Sequence, residues 1–500
     1  MRALQLFVLG ALAALSLPPV DFWPATFVTV PLALWIFARE MNSSYRRIAL
    51  LSWLYGVGYF IAALHWVAFA FFVNPERDLW MMPIAVGALA AGMALFWMAA
   101  ITVGSVLVKR GYPAWLIYPA ALALCEWLRG NILTGFPWAV FGQHADGMFG
   151  VEQLASLIGM TGLTLMIWLW GAAVYAAIFE KARARIIAIV IIATFPLSLA
   201  WGQLRLSATP TAYVPNMIVR LVQPNINQNE KWLEGHARKI YDTLLSLNAR
   251  PSSTGQPITH IIWPESSVPF LIDESAKGRG ELANAMPPGA TLLVGAVRRD
   301  APNDDAHYFT SILVMNDKAE VLNHYDKWHL VPGGEFLPLA WLLEPLGLRK
   351  VVSLPESFTP GAGPQTLPVP NAGPAGMSIC YEAIFPFAVS GPTLRPDWLI
   401  NVTNDAWFGK SVGPHQHLGQ LRLRVIELGI PAARAANTGI SAIIDPLGRI
   451  TFQSEIGVAD AYDMAMPQPV AQTLYSRLGD WALLLLVMVA IGLGQYLKRS

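Results

Sequence analysis

The stretch LWMMPIAVGALAAGMALFWMAAITVGSVLV at residues 79–108 contains no charged side chain. About 20 mostly apolar residues suffice for a helix to cross a bilayer, so this stretch predicts a transmembrane helix. The composition of the 500-residue chain agrees, because hydrophobic residues make up 54% and charged residues only 13%. That charged share is about half of what globular proteins carry. The chain is therefore predicted to be a membrane protein.

Seven further uncharged runs lie along the chain, and together the runs predict a multi-pass α-helical membrane domain with about eight transmembrane helices. The further runs are 3–20, 22–38, 48–75, 112–125, 153–179, 186–204 and 481–497. The run 112–125 is the weakest, because it is short and ends at Glu126. The first run contains the small residues ALAALS, which also fit a cleaved signal peptide; we interpret it as an uncleaved helix.

The positive charges of the loops predict the orientation, since Lys and Arg concentrate on the cytoplasmic side. With the N-terminus in the cytoplasm, the short outer loops contain only Arg77 and Arg129. The inner segments contain Arg2, Arg39, Arg46, Arg47, Lys109, Arg110, Lys181, Arg183, Arg185, Lys498 and Arg499. The large segment after the seventh helix is thus predicted to lie outside the cytoplasm, in the periplasm if the source is a Gram-negative bacterium.

Residues 205–478 have a different character, because charged residues, Pro, Gly and Asn return. Short β-rich runs occur at 217–223, 260–265, 291–299, 308–316, 319–327, 376–380, 398–403 and 441–446. Helical stretches at 230–249 and 416–435 lie between some of them, and this alternation predicts an α/β sandwich with buried sheets. We expect three regions: a membrane domain (1–204), an exported domain (205–478) and a C-terminal transmembrane helix (479–500).

Charge and cysteine content exclude several classes of protein. The net charge of +1 gives no reason to expect nucleic-acid binding. The two cysteines, Cys125 and Cys380, are too few for a disulfide framework. The nine His show no metal-ligand spacing, so neither a metal nor another cofactor is expected.

Three residues of the exported domain carry the chemistry: Glu265 in IIWPESS, Lys327 in YDKWHLVPGGEFLP and Cys380 in MSICYEAIFP. A carboxylate, an ammonium and a thiol are the parts needed for acyl transfer through a thioester. Glu265 is predicted to be the general base. Lys327 is expected to lower the thiol pKa and to stabilise the oxyanion. Taken singly, each residue favours an ordinary interpretation, as a strand-end Glu, a surface Lys or a small buried Cys. The prediction therefore depends on the joint pattern.

Cys380 is predicted to be a nucleophile at a strand-to-helix turn. The backbone N–H of Tyr381 would then help to form an oxyanion hole, and the N-terminus of the following helix would favour a thiolate.

The sequence segments around these residues strengthen the prediction. WPES, YDKWHLVPGGEFLP, SICYEAIFP, NVTNDAWFG and AARAANTGISAIIDPLGRI occur in this order and resemble the nitrilase or carbon–nitrogen hydrolase superfamily, which has a Glu–Lys–Cys triad. That resemblance implies a nitrilase-like αββα sandwich. With the membrane helices added, the whole chain resembles the apolipoprotein N-acyltransferase family.

The resemblance implies a two-step reaction in the bacterial inner membrane. Cys380 would take an acyl chain from a phospholipid such as phosphatidylethanolamine, and the α-amine of a diacylglyceryl-cysteine at the N-terminus of an apolipoprotein would then accept it. It implies no cofactor, and nothing in the sequence requires more than a monomer.

Further site residues follow from the same resemblance, each with an ordinary alternative. Glu335 is expected to hold the catalytic lysine, or is a loop charge. Glu382 orients the nucleophile loop or admits the substrate amine, or else satisfies a helix dipole. Tyr381 and Trp232 are expected to line the pocket, with ordinary packing as the alternative. Trp138, in the outer loop 129–152, is expected at the membrane interface beside a lipid groove, and we expect that loop to face the active site.

The apolar segment 337–348 is either packed on its own core or a mobile arm that gates lipid entry. The loop 404–409 is expected to be structural and to lie beside the site.

Two other functions fit parts of the sequence. A membrane-tethered amidase would use the same triad, but one anchoring helix would suffice for it. A transporter or lipid-binding scaffold would not need a complete triad, and an ion-coupled pathway would need charged groups within the spans.

Overall fold

The computed structural model of the protein describes residues 1–233, 235–302, 306–337, 340–346, 358–386, 389, 391 and 394–499. Its N-terminal part is a bundle of helices, and a helix occupies each of the eight apolar runs. The helices of this part are α1 (Arg2–Ala13), α2 (Pro24–Ala38), α3 (Tyr45–Leu64), α4 (Pro75–Asp78), α5 (Met82–Lys109), α6 (Ala114–Asn131), α7 (Ala155–Phe179) and α8 (Ala182–Ala208). The remaining helices are α9 (His236–Asn248), α10 (Ala276–Ala285), α11 (Ala340–Leu343), α12 (Gly413–Leu428), α13 (Leu474–Leu478) and α14 (Trp481–Arg499).

The helices differ in their ability to cross a membrane. Within the described residues, five stretches are long and apolar enough by length and composition: Tyr45–Phe72, Pro75–Lys109, Val151–Phe179, Ala182–Ala208 and Trp481–Arg499. α1 and α2 are shorter, and α6 carries Glu126 and Arg129. A membrane domain is therefore confirmed, whereas the count of eight spans stays a prediction.

The region between α8 and α14 contains two six-stranded sheets. The first has the order β12 (Asp460–Pro467), β1 (Tyr213–Gln223), β2 (His260–Trp263), β3 (Thr291–Arg299), β4 (Tyr308–Met315) and β5 (Val321–Asp326). The second has the order β11 (Ile450–Gln453), β10 (Ala442–Ile444), β9 (Ala432–Ala436), β8 (Trp398–Thr403), β7 (Gly373–Ile379) and β6 (Thr366–Val369). In each sheet the three strands β1–β3 or β7–β9 are parallel and the outer pairs are antiparallel.

Alternate side chains of the strands build a four-layer sandwich. Leu221 and Ile262 of the first sheet and Met377 and Ile400 of the second lie in one buried cluster between the sheets. The opposite face of the first sheet packs on α9 and α10, and that of the second packs on α12. Each sheet is thus covered on both faces, as the parallel strands require, and the predicted αββα fold is confirmed.

All eight predicted β-rich runs contain a strand, but the helix predicted at 416–435 is too long. α12 ends at Leu428 because Gly429 follows in the left-handed conformation (φ 67°) and Pro431 cannot continue the helix. Most of the remaining residues of the stretch belong to β9 (Ala432–Ala436), a fully buried strand. The helix predicted at 230–249 begins only at His236, after Gly235 (φ 83°).

α12 lies between the second sheet and the membrane helices. Leu421 and Val425 face the sheet, while Leu423 and Ile426 belong to the apolar core of the membrane helices. The carboxylate of Glu427 accepts a hydrogen bond of 2.6 Å from Met160 N–H in α7. α12 therefore helps to hold the sandwich on the helical bundle.

Candidate active site

Glu265 follows β2 and is held against the neighbouring strand β3. Ser267 N–H donates to the carbonyl of Gly295 at 2.8 Å. A Cβ atom on Gly295 would lie 2.2 Å from the carbonyl oxygen of Pro264 and 2.7 Å from Cα of Glu265, so only glycine permits this close approach. The sheet thereby sets the position of the Glu265 carboxylate.

Lys327, which directly follows β5, lies between two carboxylates. Its ammonium donates to Oε1 of Glu265 at 3.1 Å and to Oε1 of Glu335 at 2.9 Å, and the three side chains are buried. Burial by itself lowers the pKa of Lys327, but the charges of Glu265 and Glu335 outweigh it and hold that pKa well above its usual value. Lys327 is therefore a permanent cation.

The pKa of Glu335 is set by a different balance of burial and charge. Burial raises the pKa of its carboxyl, and Glu265 adds to the increase, against the opposing charge of Lys327. Its other oxygen accepts from Val331 N–H at 2.8 Å. Glu335 thus anchors the lysine from a short loop.

Cys380 lies at the turn after β7, with φ of 48°. Positive φ is rare for a residue with a side chain, and such strain concentrates at functional sites. The helix that follows is a single short 3₁₀ segment, Cys380–Ile384.

The expectation of a low thiol pKa is wrong. Burial raises the pKa of the Cys380 thiol and Glu265 adds to this, while Lys327 acts in the expected direction but is outweighed. The raised pKa favours the neutral thiol of Cys380, which would need a base in order to act as a nucleophile.

Both carboxylate oxygens of Glu382 accept hydrogen bonds from other groups of the protein. Oε1 accepts from Tyr325 O–H (2.8 Å), Trp328 N–H (2.9 Å) and His329 N–H (3.2 Å), and Oε2 accepts from Ile379 N–H (2.7 Å). These bonds join the nucleophile turn to the segment that follows Lys327. Burial raises the pKa of Glu382 to about 7. The geometry favours the loop-orienting role over contact with a substrate amine.

Tyr381 points toward the membrane bundle. Its hydroxyl donates to the Gly135 carbonyl at 2.8 Å, and its ring stacks on Phe136 with 6.1 Å between centroids. His329 bonds the Thr134 carbonyl at 2.6 Å through Nε2. The loop from the membrane domain therefore lies directly against the nucleophile turn.

Trp138 lies at the end of that loop and is buried. Its indole N–H donates to Oε1 of Gln416 on α12 at 2.8 Å, and Trp66 donates to the same oxygen at 3.2 Å. Phe141, further along the same loop, is fully buried, and its ring stacks on Trp168 with 3.7 Å between the centroids. Trp138 and Trp66 therefore join the membrane domain to α12 of the sandwich, and Trp138 lies inside the protein, not at the membrane interface where it was expected.

Trp232 lies at the rim of the site and is 41% exposed. Its neighbour Lys231 is buried and donates to the backbone carbonyl of Glu265 at 3.4 Å; burial lowers the pKa of Lys231 to about 8. Asn404 of the loop 404–409 links this segment to Glu265, because its N–H donates to Oε2 of Glu265 (3.0 Å) and its side-chain amide donates to Gln228 (2.7 Å). Sequence analysis did not single out Lys231.

A second ionic cluster lies close to Cys380. Of its residues, only Asp405 belongs to a segment that was expected beside the site, the loop 404–409. We call Asp405, His417 and Arg434 the anchor cluster. Arg434 Nη2 donates to Asp405 Oδ2 at 2.7 Å, and Nδ1 of His417 lies 3.0 Å from Asp405 Oδ1. All three side chains are fully buried or nearly so. One signal was available in the sequence, because a charged residue inside an apolar strand such as AARAA is rarely buried without a partner.

Cys380, Asp405 and His417 also have potential metal ligands within 4.8 Å of one another. However, Asp405 is paired with Arg434, and His417 Nε2 bonds the Cys380 carbonyl at 3.0 Å. These atoms are already engaged, and the adjacent guanidinium opposes a further cation.

The segment 337–348 is described only in part, since 338–339 and 347–348 lie outside the described residues. Trp341, in α11, is 76% exposed. An exposed tryptophan at this place fits the proposed arm better than a loop packed on its own core.

An αββα sandwich that places Glu, Lys and Cys together at strand ends defines the class of carbon–nitrogen hydrolases. Residues 219–457 match the family described as carbon–nitrogen hydrolase, and residues 9–173 match the apolipoprotein N-acyltransferase N-terminal domain.

Relatives extend this match over the entire chain. The chain is 36% identical to the apolipoprotein N-acyltransferase of Rhodopseudomonas palustris, over 100% of this chain and 95% of the relative. It is 39% identical to the protein of that name from Bradyrhizobium diazoefficiens, over 98% and 94%. The chain belongs to the apolipoprotein N-acyltransferase family and is an enzyme of the acyltransferase class, so the predicted resemblance is confirmed.

Two solved structures are similar to about half of the chain. An amidase from Nesterenkonia sp. is 17% identical, with a TM-score of 0.35 over 52% of this chain and 94% of the amidase. A carbon–nitrogen hydrolase from Helicobacter pylori is 13% identical, with a TM-score of 0.36 over 50% and 88%.

Proposed function

We propose that the protein transfers a fatty acyl chain from a phospholipid to the α-amine of the diacylglyceryl-cysteine of an apolipoprotein, through a thioester on Cys380. The observation that carries the proposal is the bonding of Lys327 to both Glu265 and Glu335 beside a strained, buried thiol. The names of the relatives supply the acceptor class.

In the first half-reaction the Cys380 sulfur attacks the ester carbonyl of the phospholipid while Glu265 takes the thiol proton. The Lys327 ammonium and the Tyr381 N–H stabilise the negative oxygen of the tetrahedral intermediate. The C–O bond to the glycerol then breaks, Glu265 returns the proton to that oxygen, and lysophospholipid leaves. Because the pKa of the thiol is raised, a base is required at neutral pH.

In the second half-reaction the neutral α-amine of the acceptor attacks the thioester carbonyl. The C–S bond breaks, the amine loses a proton, and Cys380 recovers its thiol. A thioester is reactive enough to form an amide, so one site serves two bulky lipids in turn.

The helical bundle supports a membrane location for both substrates. The loop 134–138 of the bundle contacts Tyr381 and His329, which places the nucleophile turn beside the membrane domain. We propose that the protein lies in the bacterial inner membrane with the sandwich on the periplasmic side, because the positive charges of the loops favour this orientation. Residues 1–204, 205–478 and 479–500 form the proposed division into domains, and the proposed active unit is a monomer.

The test is the acyl-enzyme itself. Purified protein in detergent is incubated with phosphatidylethanolamine and examined by intact mass, beside Cys380→Ala and Glu265→Gln. We expect a mass gain of one acyl group that hydroxylamine removes, that Cys380→Ala abolishes and that Glu265→Gln slows. Cys125→Ala, which changes the other cysteine, serves as the matched control and should acylate normally.

A well-folded protein that yields neither adduct nor lysophospholipid would contradict the proposal. Release of ammonia and free acid from a small amide would then favour the membrane-tethered amidase.

A further inference from the structure

The ring of His417 contacts the nucleophile residue through the backbone, not through sulfur. Nε2 of His417 lies 3.0 Å from the carbonyl oxygen of Cys380. A carbonyl oxygen only accepts hydrogen bonds, so Nε2 carries the hydrogen and donates it. His417 lies on α12, and its side chain is completely buried.

This bond sets the direction of a catalytic amide. The peptide unit is planar and trans, so the C=O of Cys380 and the N–H of Tyr381 point in opposite directions. With the carbonyl held by His417, the Tyr381 N–H is aimed to the other side of the turn. That N–H belongs to the first turn of the segment Cys380–Ile384, where N–H groups have no acceptor within the helix.

The backbone at this turn needs an external restraint. Cys380 has φ of 48°, a conformation that residues with a side chain seldom adopt and that persists only where the surroundings enforce it. A relaxation of this turn rotates the peptide that follows, and the Tyr381 N–H with it.

The anchor cluster holds the ring in turn. Nδ1 of His417 lies 3.0 Å from Asp405 Oδ1 and 3.1 Å from Arg434 Nη2. Arg434 is itself bonded to Asp405 (2.7 Å) and to Asn401 Oδ1 (2.5 Å). Because Arg434 and Asn401 lie on neighbouring strands of the second sheet, the ring is fixed to that sheet.

We propose that His417 is a positioning residue that keeps the Cys380–Tyr381 peptide from turning over, so that the Tyr381 N–H faces the oxyanion of the tetrahedral intermediate. This inference rests on the proposed function in taking Cys380 as the nucleophile. Hydrogen-bond donation by His417 to the backbone is its whole role; it exchanges no proton with substrate.

Two reactions of the same thiol separate positioning from folding. Acylation of Cys380 by an ester forms an oxyanion, whereas alkylation by iodoacetamide displaces iodide at a saturated carbon and forms none. We would measure both rates in wild type, His417→Leu and His417→Gln, with phosphatidylethanolamine and p-nitrophenyl butyrate as esters. His415→Gln, on the same helix and half-buried, is the matched control.

Loss of an oxyanion-hole donor slows catalysis by about 10²–10³-fold. We expect His417→Leu to lower acylation by about 10²-fold for both esters while alkylation changes less than about threefold. The amide N–H of His417→Gln reaches the same carbonyl and should recover at least about tenfold of the loss. Since glutamine retains a polar, similarly sized side chain, this variant also decides the matter if His417→Leu does not fold.

Equal falls in acylation and alkylation would overturn the inference, because a merely structural histidine affects both. Unchanged acylation in His417→Leu would overturn it as well. A wild-type protein that is acylated by p-nitrophenyl butyrate but never by phosphatidylethanolamine would refute the proposed donor, whereas the small ester would still decide the role of His417.

Discussion

Two buried ionic clusters lie close to Cys380, and they differ in charge balance. The cluster that is proposed to be catalytic has two carboxylates, Glu265 and Glu335, for the one ammonium of Lys327. The anchor cluster has one carboxylate, Asp405, with the guanidinium of Arg434 and the ring of His417. The first cluster has one carboxylate in excess, and the second does not.

The pKa values follow this difference. Burial and the neighbouring Glu265 raise the pKa of Glu335. Burial also acts to raise the pKa of Asp405, but Arg434 and His417 outweigh it and hold it well below its usual value. An excess of acid allows a cluster to accept a proton, while a balanced cluster remains fixed. We therefore assign proton transfer to the first and positioning to the second.

Removal of Lys327 should have the largest effect on activity. Lys327→Met deletes a donor to the oxyanion and the restraint on Glu265, so we expect acylation to fall by about 10³-fold. Thermal stability should change little, because Glu335 with its raised pKa can take a proton and remove the repulsion between the two carboxylates. Acylation rate and melting temperature check this, with the exposed Lys239→Met as control. A severe loss of stability would show that the cluster is structural.

Adding one methyl group at Gly295 should lower the acylation rate by a smaller amount, because it displaces Glu265. Gly295→Ala places a Cβ atom 2.2 Å from the Pro264 carbonyl oxygen, so the turn with Glu265 must shift. A displacement near 1 Å lowers a rate by about 10²-fold. Gly280→Ala is the matched control, since its Cβ meets nothing within 4 Å. Equal acylation rates in the two variants would mean that the position of Glu265 is not critical.

A substitution in the anchor cluster should lower the stability of the protein more than its activity. Asp405→Asn leaves the buried Arg434 without its charge partner, which lowers the free energy of unfolding by about 3–5 kcal/mol. Acylation should fall by about tenfold or less, because His417 keeps its bond to the Cys380 carbonyl. Denaturation and acylation of the same sample test both parts. A stable but inactive variant would contradict the division of roles.

Glu382 joins the turn at Cys380 to the segment that follows Lys327. Its raised pKa predicts that the stability of the fold depends on pH. Burial raises its folded-state pKa from 4.5 to about 7, so this group contributes stability below pH 4.5 that is lost as pH rises through 7. Wild type should therefore gain stability relative to Glu382→Gln as pH falls from about 8 to 5. Melting temperatures of both proteins across this range give the difference, in which the effects of other groups cancel. A gap independent of pH would refute the assignment.

Some of these features could be predicted from sequence because they are local. The words around Glu265, Lys327 and Cys380 are continuous, and the eight β-rich runs all contain a strand. By contrast, the helix predicted at 416–435 overlaps β9, because AARAA has no strand-like alternation and the burial of this strand on both faces depends on the neighbouring strands. The thiol pKa was predicted with the wrong sign because burial, which is not local, outweighs Lys327.

The sequence by itself determined the membrane domain, the αββα sandwich, the family and the order Glu265, Lys327, Cys380, since each depends on runs of adjacent residues. Only the tertiary structure decided that Glu335 shares Lys327, that Glu382 is fully bonded, and that His417 holds the Cys380 carbonyl. These contacts join residues from separate strands and helices, and their energy depends on distances and burial that exist only once the chain has folded.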